Sequence, residues 1–252
     1  TVTAEEQFGS AVAMSYNANY LAIGATGGAK AYIFNYNSTT DSVSLEYTIS
    51  GASSSALGKS IAINRNEGKY VIVGAPFAAG SSSGAAYIYL RTGSSWALQQ
   101  TFAAASASEQ QGYDVDISAD GNYAVISAPM LGVGRISIYF RNGGASWSLQ
   151  AGLSTGSSGD EYGYAVGLAS DRCVVSSIKA NSGTSGQETQ AGKAYVYTRS
   201  GTSWSLSSTT LVAADLEKKS DYFGSSISMF EESVVIGSPY SEKYLGNNTG
   251  AA

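Results

Sequence analysis

Histidine is absent from these 252 residues. Its absence removes the commonest general base, the usual partner of a serine or cysteine nucleophile, and the commonest zinc ligand. The single cysteine, Cys173, excludes an internal disulfide and a multi-thiolate metal site. Charged residues make up only 13% of the chain, about half the usual share. The net charge is -5 and no Lys/Arg cluster is present, which argues against a nucleic-acid partner. No apolar run approaches the roughly 18 residues of a membrane-spanning helix. The chain opens at Thr1 with neither a methionine nor a signal sequence, as expected of a processed chain or of a piece of a longer one.

What is abundant points to strands and turns. Glycine (30 residues) and tyrosine (18) stand beside many serines and alanines. Tyr, Val and Ile suit a pleated, half-buried surface, and Gly and Ser suit turns. An all-β chain of many short strands is expected. Its low charge and small polar residues suit a secreted surface protein, or a surface that packs on copies of itself.

The main signal is an internal repeat. Gly9, Gly58, Gly112, Gly163 and Gly224 recur in similar surroundings, 49, 54, 51 and 61 residues apart. A short alternating strand follows each, as in 60–63 and 225–229. A second, more uniformly apolar strand comes next, at 20–24, 70–74, 123–127, 173–177 and 233–237. Such a run between turns fits a strand buried on both faces. All three prolines, Pro76, Pro129 and Pro239, fall just after this strand, where they end ladder pairing. A third strand is expected at 29–34, 85–89, 135–139 and 191–197. Then a Gly/Ser turn leads to a fourth strand beginning at Trp96, Trp147 or Trp204. Val43 takes the tryptophan position in the first copy.

Four antiparallel strands in about fifty residues make a propeller blade, and blades must stack about an axis to bury their faces. The expected fold is an all-β propeller of four-stranded antiparallel blades, one domain over 1–252. Five repeats are visible and the fifth is incomplete. A sandwich or solenoid of meanders is the structural alternative. Residues 1–4 resemble the tail of a fourth strand and are expected to supply the outer strand of the last blade. The shortfall in the fifth copy has two explanations: residues beyond Ala252, or a strand donated by a neighbouring molecule.

Phe8-Gly9, Phe223-Gly224 and Gly74-Ala75-Pro76 resemble the FG-GAP repeat. Asp120-Gly121-Asn122, Ser127-Ala128-Pro129, Gly192 to Tyr197 and Ser200 to Trp204 are similar to its variant reading "FG-x-S-V … DGN-x-x-x-VGAP … GAVYVY … SGTTWS". That repeat occurs in integrin α-chain propellers and in secreted or surface proteins of bacteria and protists. The resemblance implies an extracellular or cell-surface module without catalysis. Integrin-type copies also carry an Asp-rich calcium loop between the first two strands. The matching loops here (15–19, 64–68, 118–122, 170–172 and 230–232) lack the alternating aspartates calcium favours. No cofactor is therefore carried over, and Asp120-Gly121-Asn122 reads as a tight turn.

Candidate sites are few. Arg91, Arg141 and Arg199 recur near Trp96, Trp147 and Trp204. The functional reading is a set of equivalent sugar sites; the plain one is an Arg packed over its hairpin Trp. Glu5-Glu6, Glu109, Asp160-Glu161 and Asp221 precede the repeat glycine. Recurrence in copy after copy suits turn capping better than a unique catalytic pair. Asn37 and Asn247 head glycosylation sequons. Cys173 aligns with Tyr20, Tyr70 and Tyr123 as a buried structural thiol. The insertion 181–190 is a Gly/Ser/Thr-rich loop.

The function expected is a non-enzymatic extracellular structural or adhesion module. Its partners are protein and/or glycan, with self-association through the incomplete last blade. A lectin-like propeller, or an accessory domain of a larger surface enzyme, is the alternative.

Overall fold

The computed structural model describes residues 5–80, 82–130, 132–181, 190–213 and 221–240. The repeat glycines start five antiparallel sheets, each a meander with its strands in chain order. The first holds β1 (Phe8–Met14), β2 (Tyr20–Ala25), β3 (Lys30–Asn37) and β4 (Ser42–Ser50). The second holds β5 (Ser60–Ile63), β6 (Tyr70–Ala75), β7 (Ala85–Thr92) and β8 (Ser95–Ala103). The third holds β9 (Val115–Ile117), β10 (Tyr123–Ala128), β11 (Arg135–Arg141) and β12 (Trp147–Leu153). The fourth holds β13 (Tyr162–Leu168), β14 (Arg172–Ser177), β15 (Lys193–Ser200) and β16 (Ser203–Leu211). The fifth shows β17 (Ser226–Phe230) and β18 (Ser233–Gly237). The first strands stand side by side, β1 by β5, β5 by β9, β9 by β13 and β13 by β17. All five line one axial channel, the arrangement of propeller blades. Among the described residues the sheets do not close the ring. Residues 1–4 and everything after Tyr240, where the expected closing strands fall, lie outside the described residues.

Each repeat begins with the same tight turn. Gln7, Ala56, Gln110, Glu161 and Tyr222 all have positive φ, and their carbonyls accept from the N–H three residues on. The glycine in the third position has φ between +83° and +97° in every copy, which a type II turn reserves for glycine. The turn also brings backbones together across the blade gap. A Cβ on Gly112 would lie 2.2 Å from the Ala85 carbonyl of the preceding blade, and one on Gly58 2.4 Å from that of Lys30. Ser10 Oγ and Ser60 Oγ donate across the same gap to the carbonyls of Gly58 (3.2 Å) and Gly112 (3.1 Å).

The core sits between blades. Four apolar clusters each join consecutive sheets, such as Ala22 and Ile33 with Ile61, Ile63, Val71 and Val73. The second strands β6 and β10 are buried along their whole length, as their continuous apolar runs led one to expect. The face a blade turns to its predecessor carries large side chains on the first strand: Ile61/Ile63, Val115/Ile117, Val166/Leu168, Ile227/Met229. The face turned to its successor carries small ones: Ala11/Ala13, Ser60/Ala62, Ala165/Gly167. A Cβ on Gly167 would lie 2.8 Å from Ile227 and 3.0 Å from Met229, so the large residues of one blade fill the hollow of the last.

Arg172, not Cys173, opens the second strand of the fourth blade. Cys173 was expected to match Tyr20, Tyr70 and Tyr123. The ladder sets Cys173 opposite Leu168, as Ala124 lies opposite Ile117 and Val71 opposite Ile63. Arg172 therefore holds the tyrosine position, because the fourth blade opens its second strand with a charged residue. Cys173 is fully buried, and burial raises its thiol pKa.

Candidate functional site

The Arg and Trp residues proved to be neighbours across each hairpin: Arg91 pairs with Trp96, Arg141 with Trp147 and Arg199 with Trp204. The guanidinium does not cover its own tryptophan. It lies over a tyrosine of the preceding blade, Arg91 over Tyr20 (4.4 Å), Arg141 over Tyr70 (4.7 Å) and Arg199 over Tyr123 (4.6 Å). Each indole meets the same tyrosine edge-on, and all three are buried. Trp147 Nε1 donates to Gln99 Oε1 (2.9 Å) and Trp204 Nε1 to Gln150 Oε1 (2.7 Å), again on the preceding blade. Gln99 and Gln150 are the extra residues of β-bulges in the outer strands, which turns them toward the next blade. Glu46 is the equivalent bulge residue in the first blade. It holds Arg91 Nε at 2.9 Å, while its Oε2 and Trp96 Nε1 are both unpartnered. These side chains form an inter-blade latch. A cleft of about 620 Å³ lies outside it, between the hairpins of the second and third blades, lined by Glu67, Lys69, Arg91, Gln99 and Arg141.

Four of the acids ahead of the repeat glycines, Glu6, Glu109, Asp160 and Glu161, are engaged within the blades. Glu6 takes Lys30 Nζ at 2.7 Å and Tyr32 Oη at 2.8 Å, and Glu109 takes Arg135 at 2.7 Å. Glu161 pairs with Lys179 at 2.5 Å, and Asp160 caps Ser157 N at 2.8 Å. In the Asp120-Gly121-Asn122 turn Gly121 has φ +69°, and Asp120 accepts from Ser118 Oγ and from both nitrogens of Asn122. Asn37 is exposed, its amide oxygen accepting from Thr39 N in a turn. Asn247 and most of the 181–190 insertion lie outside the described residues.

Sequence reasoning missed Asp114 and Asp116. They stand on and just before β9, at the positions where other blades carry Ala, Ser or Gly. That substitution of Asp-x-Asp for small residues was the available signal. Each carboxylate accepts its own next N–H, and reaches across to β13 for Val166 N and Leu168 N, both at 2.8 Å. They thus supply the acceptors that neighbouring first strands otherwise lack. Burial raises Asp114 to about 6 and Asp116 to about 7, opposed by these backbone bonds and by Lys59 and Arg65 respectively. Asp116 also borders a mouth of about 420 Å³ at one end of the axis, with Tyr16, Arg65, Asp171, Arg172 and Phe230. Arg65 crosses the axis to the Met229 carbonyl at 3.0 Å, and Arg172 pairs with Glu232 at 3.1 Å.

The two ends of the array differ from its middle. Phe8, Val12 and Met14 are 42%, 71% and 54% exposed, whereas their repeat equivalents Leu57, Ile61 and Ile63 are 2%, 8% and 4% exposed. A Cβ on Gly9 would meet nothing within 4 Å, unlike those of Gly58 and Gly112. The latch is missing here too, since Tyr36 and Val43 pair where Arg and Trp do elsewhere. On the fifth blade Val235 is 60% exposed, while its equivalents Ile72, Val125 and Val174 are 0–2% exposed.

Residues 204–252, from β16 onward, match the FG-GAP repeat family. A search of curated proteins returned no match. Among solved structures, a protein named as a 6-phosphogluconolactonase of Bacteroides uniformis is 12% identical with a TM-score of 0.58, over 80% of this chain and 54% of its own. A second, named likewise and from Bacteroides fragilis, is 15% identical with a TM-score of 0.56 over the same shares. This chain thus spans about half the length of either, and at such identity the likeness is one of fold. No helix among the described residues is long and apolar enough to cross a membrane.

Proposed function

We propose that this chain, built of FG-GAP-type blades, is a non-enzymatic extracellular interaction module, and that its working surface is the open face of the first blade. The observation that supports this reading is the contrast between Val12 and Met14, exposed, and Ile61 and Ile63, buried at the same repeat positions. An apolar sheet face of this kind is a docking surface by design of the repeat, since every other blade uses it to bind its predecessor. Glu6, Glu109 and Glu161 are tied into blade-internal ion pairs, and no histidine is available as a base. The glycosylation sequons headed by Asn37 and Asn247 fit an extracellular setting.

A photo-crosslinking residue at position 14, compared with one at Leu149, an exposed site on the outer strand β12, tests the reading. Capture of a protein at position 14 but not at 149 is expected. Equal or no capture at both sites in the native setting would overturn it. A glycan-array signal abolished by Arg141→Ala would instead make the cleft between the second and third blades a lectin site.

A further inference from the structure

The cleft between the second and third blades lies between two complete four-stranded sheets. At about 620 Å³ it has the size of a ligand cleft. The hairpin glycines Gly93 and Gly143 line it, and a Cβ on either would meet nothing within 4 Å. Its cations are not neutralised by this chain. Arg91 is held by Glu46, but among the described residues neither Lys69 nor Arg141 makes an ion pair. The Arg141 guanidinium reaches neutral acceptors alone: the carbonyls of Gly121 and Gly144, both at 3.2 Å, and Asn122 Oδ1 at 2.9 Å. Gln99 gives its Oε1 to Trp147, and its buried Nε2 has no acceptor. Glu67, exposed, is the single carboxylate in the lining. This charge is peculiar to the one gap. Asn19, Lys69, Asn122 and Asp171 share a repeat position, since their carbonyls accept from Tyr36 N, Arg91 N, Arg141 N and Arg199 N. Of the four, the second blade alone places a cation there.

Donors without anionic partners select an acidic group, and the walls favour a peptide over a sugar. Tyr70, which lines the cleft, and Trp147, which packs on it, are buried, and Arg141 covers the Tyr70 ring, so neither offers a face to a sugar ring. Leu90 adds an apolar contact that suits a peptide side chain. The chain's net charge of -5 repels acidic peptides at long range, so attraction must come from these local cations. We propose that the cleft binds an acidic segment of a partner protein, with an aspartate or glutamate carboxylate held between Lys69 and Arg141. It is a second interaction surface, separate from the front of the first blade and independent of it.

Fluorescence anisotropy on the intact chain at low salt tests it, with a labelled decapeptide of aspartate, glutamate, glycine and serine as the probe. A counterpart with asparagine and glutamine in place of the acids is the control. The acidic probe is expected to bind saturably and the control not to bind. Lys69→Glu is expected to weaken binding about tenfold or more, and Glu67→Gln to tighten it about twofold. Both side chains are exposed and outside any ion pair, so each variant should keep the wild-type circular dichroism and thermal midpoint. Lys193→Glu makes the same charge change on the fourth blade and is expected to leave binding within about twofold of wild type. An acidic probe that does not bind, a control that binds equally, or an equal loss from Lys193→Glu would overturn the proposal. So would a heparin-derived oligosaccharide that binds through Lys69 where the peptide does not, because the cleft would then be a sugar site. Crosslinking from position 14 reports on the first blade alone, so the two surfaces are read separately.

Discussion

A glycine's cost of replacement depends on what lies across the blade gap. Gly9 and Gly112 share the turn and a φ near +90°, yet only at Gly112 would an alanine methyl stand 2.2 Å from a carbonyl oxygen. Gly9→Ala should cost about 1–2 kcal/mol, the strain of a left-handed alanine. Gly112→Ala should cost clearly more, because the two backbones must part. Denaturant unfolding of the two variants checks the ranking. Equal losses would mean that the second and third blades are not in close contact at this turn. The glycine positions were legible in the sequence, as was the strand that follows each. The partner of each glycine was not, because the carbonyl it approaches lies on another repeat and leaves no spacing to read.

Among the elements, the hairpins and first strands hold neighbouring blades together. Trp147 buries its indole on Tyr70 and bonds Gln99, so Trp147→Ala should destabilise by about 3–5 kcal/mol in chemical unfolding. A loss below about 1 kcal/mol would return the residue to the surface role that a sugar site needs. The recurrence of Arg and Trp was plain in the sequence, but the tyrosine between them was not. Tyr70 lies on the preceding repeat, and only the stacking of blades brings it under Arg141. Asp114 and Asp116 make a second link, with a pH signature. Their folded-state pKa values, about 6 and 7, lie above the roughly 3.9 of an unfolded aspartate. A raised carboxyl binds protons more tightly in the folded chain, so its stabilising contribution is full below about pH 4 and is lost as pH rises through 6 and 7. Other carboxylates titrate as well, so the difference between wild type and Asp114→Asn/Asp116→Asn isolates the effect. Thermal midpoints should show wild type losing ground relative to the variant between about pH 4 and 7. A constant difference would show that neither group titrates in that window.

At the scale of the whole molecule, the repeat predicts its own exceptions. Five equivalent fronts were visible in the sequence as alternating apolar first strands, but not which of them lacks a cover. Val12 and Ile61 are the same kind of residue in the same pattern; only the array order separates them. Both ends break the latch rule in sequence, through Val43 at the front and Arg172 and Ser233 toward the rear. Those departures become informative once the latch is known to span blades. Amide hydrogen exchange of β1 against β5, in the dilute chain, tests the uncovered front most directly. Both are first strands with one ladder partner, so cover from a preceding blade is what distinguishes them. The expected result is that β5 exchanges slowly, as core, and that β1 exchanges much faster until a partner covers it. Equal protection of β1 and β5 in the dilute monomer would contradict it, because the front of the first blade would then already be covered from within the chain.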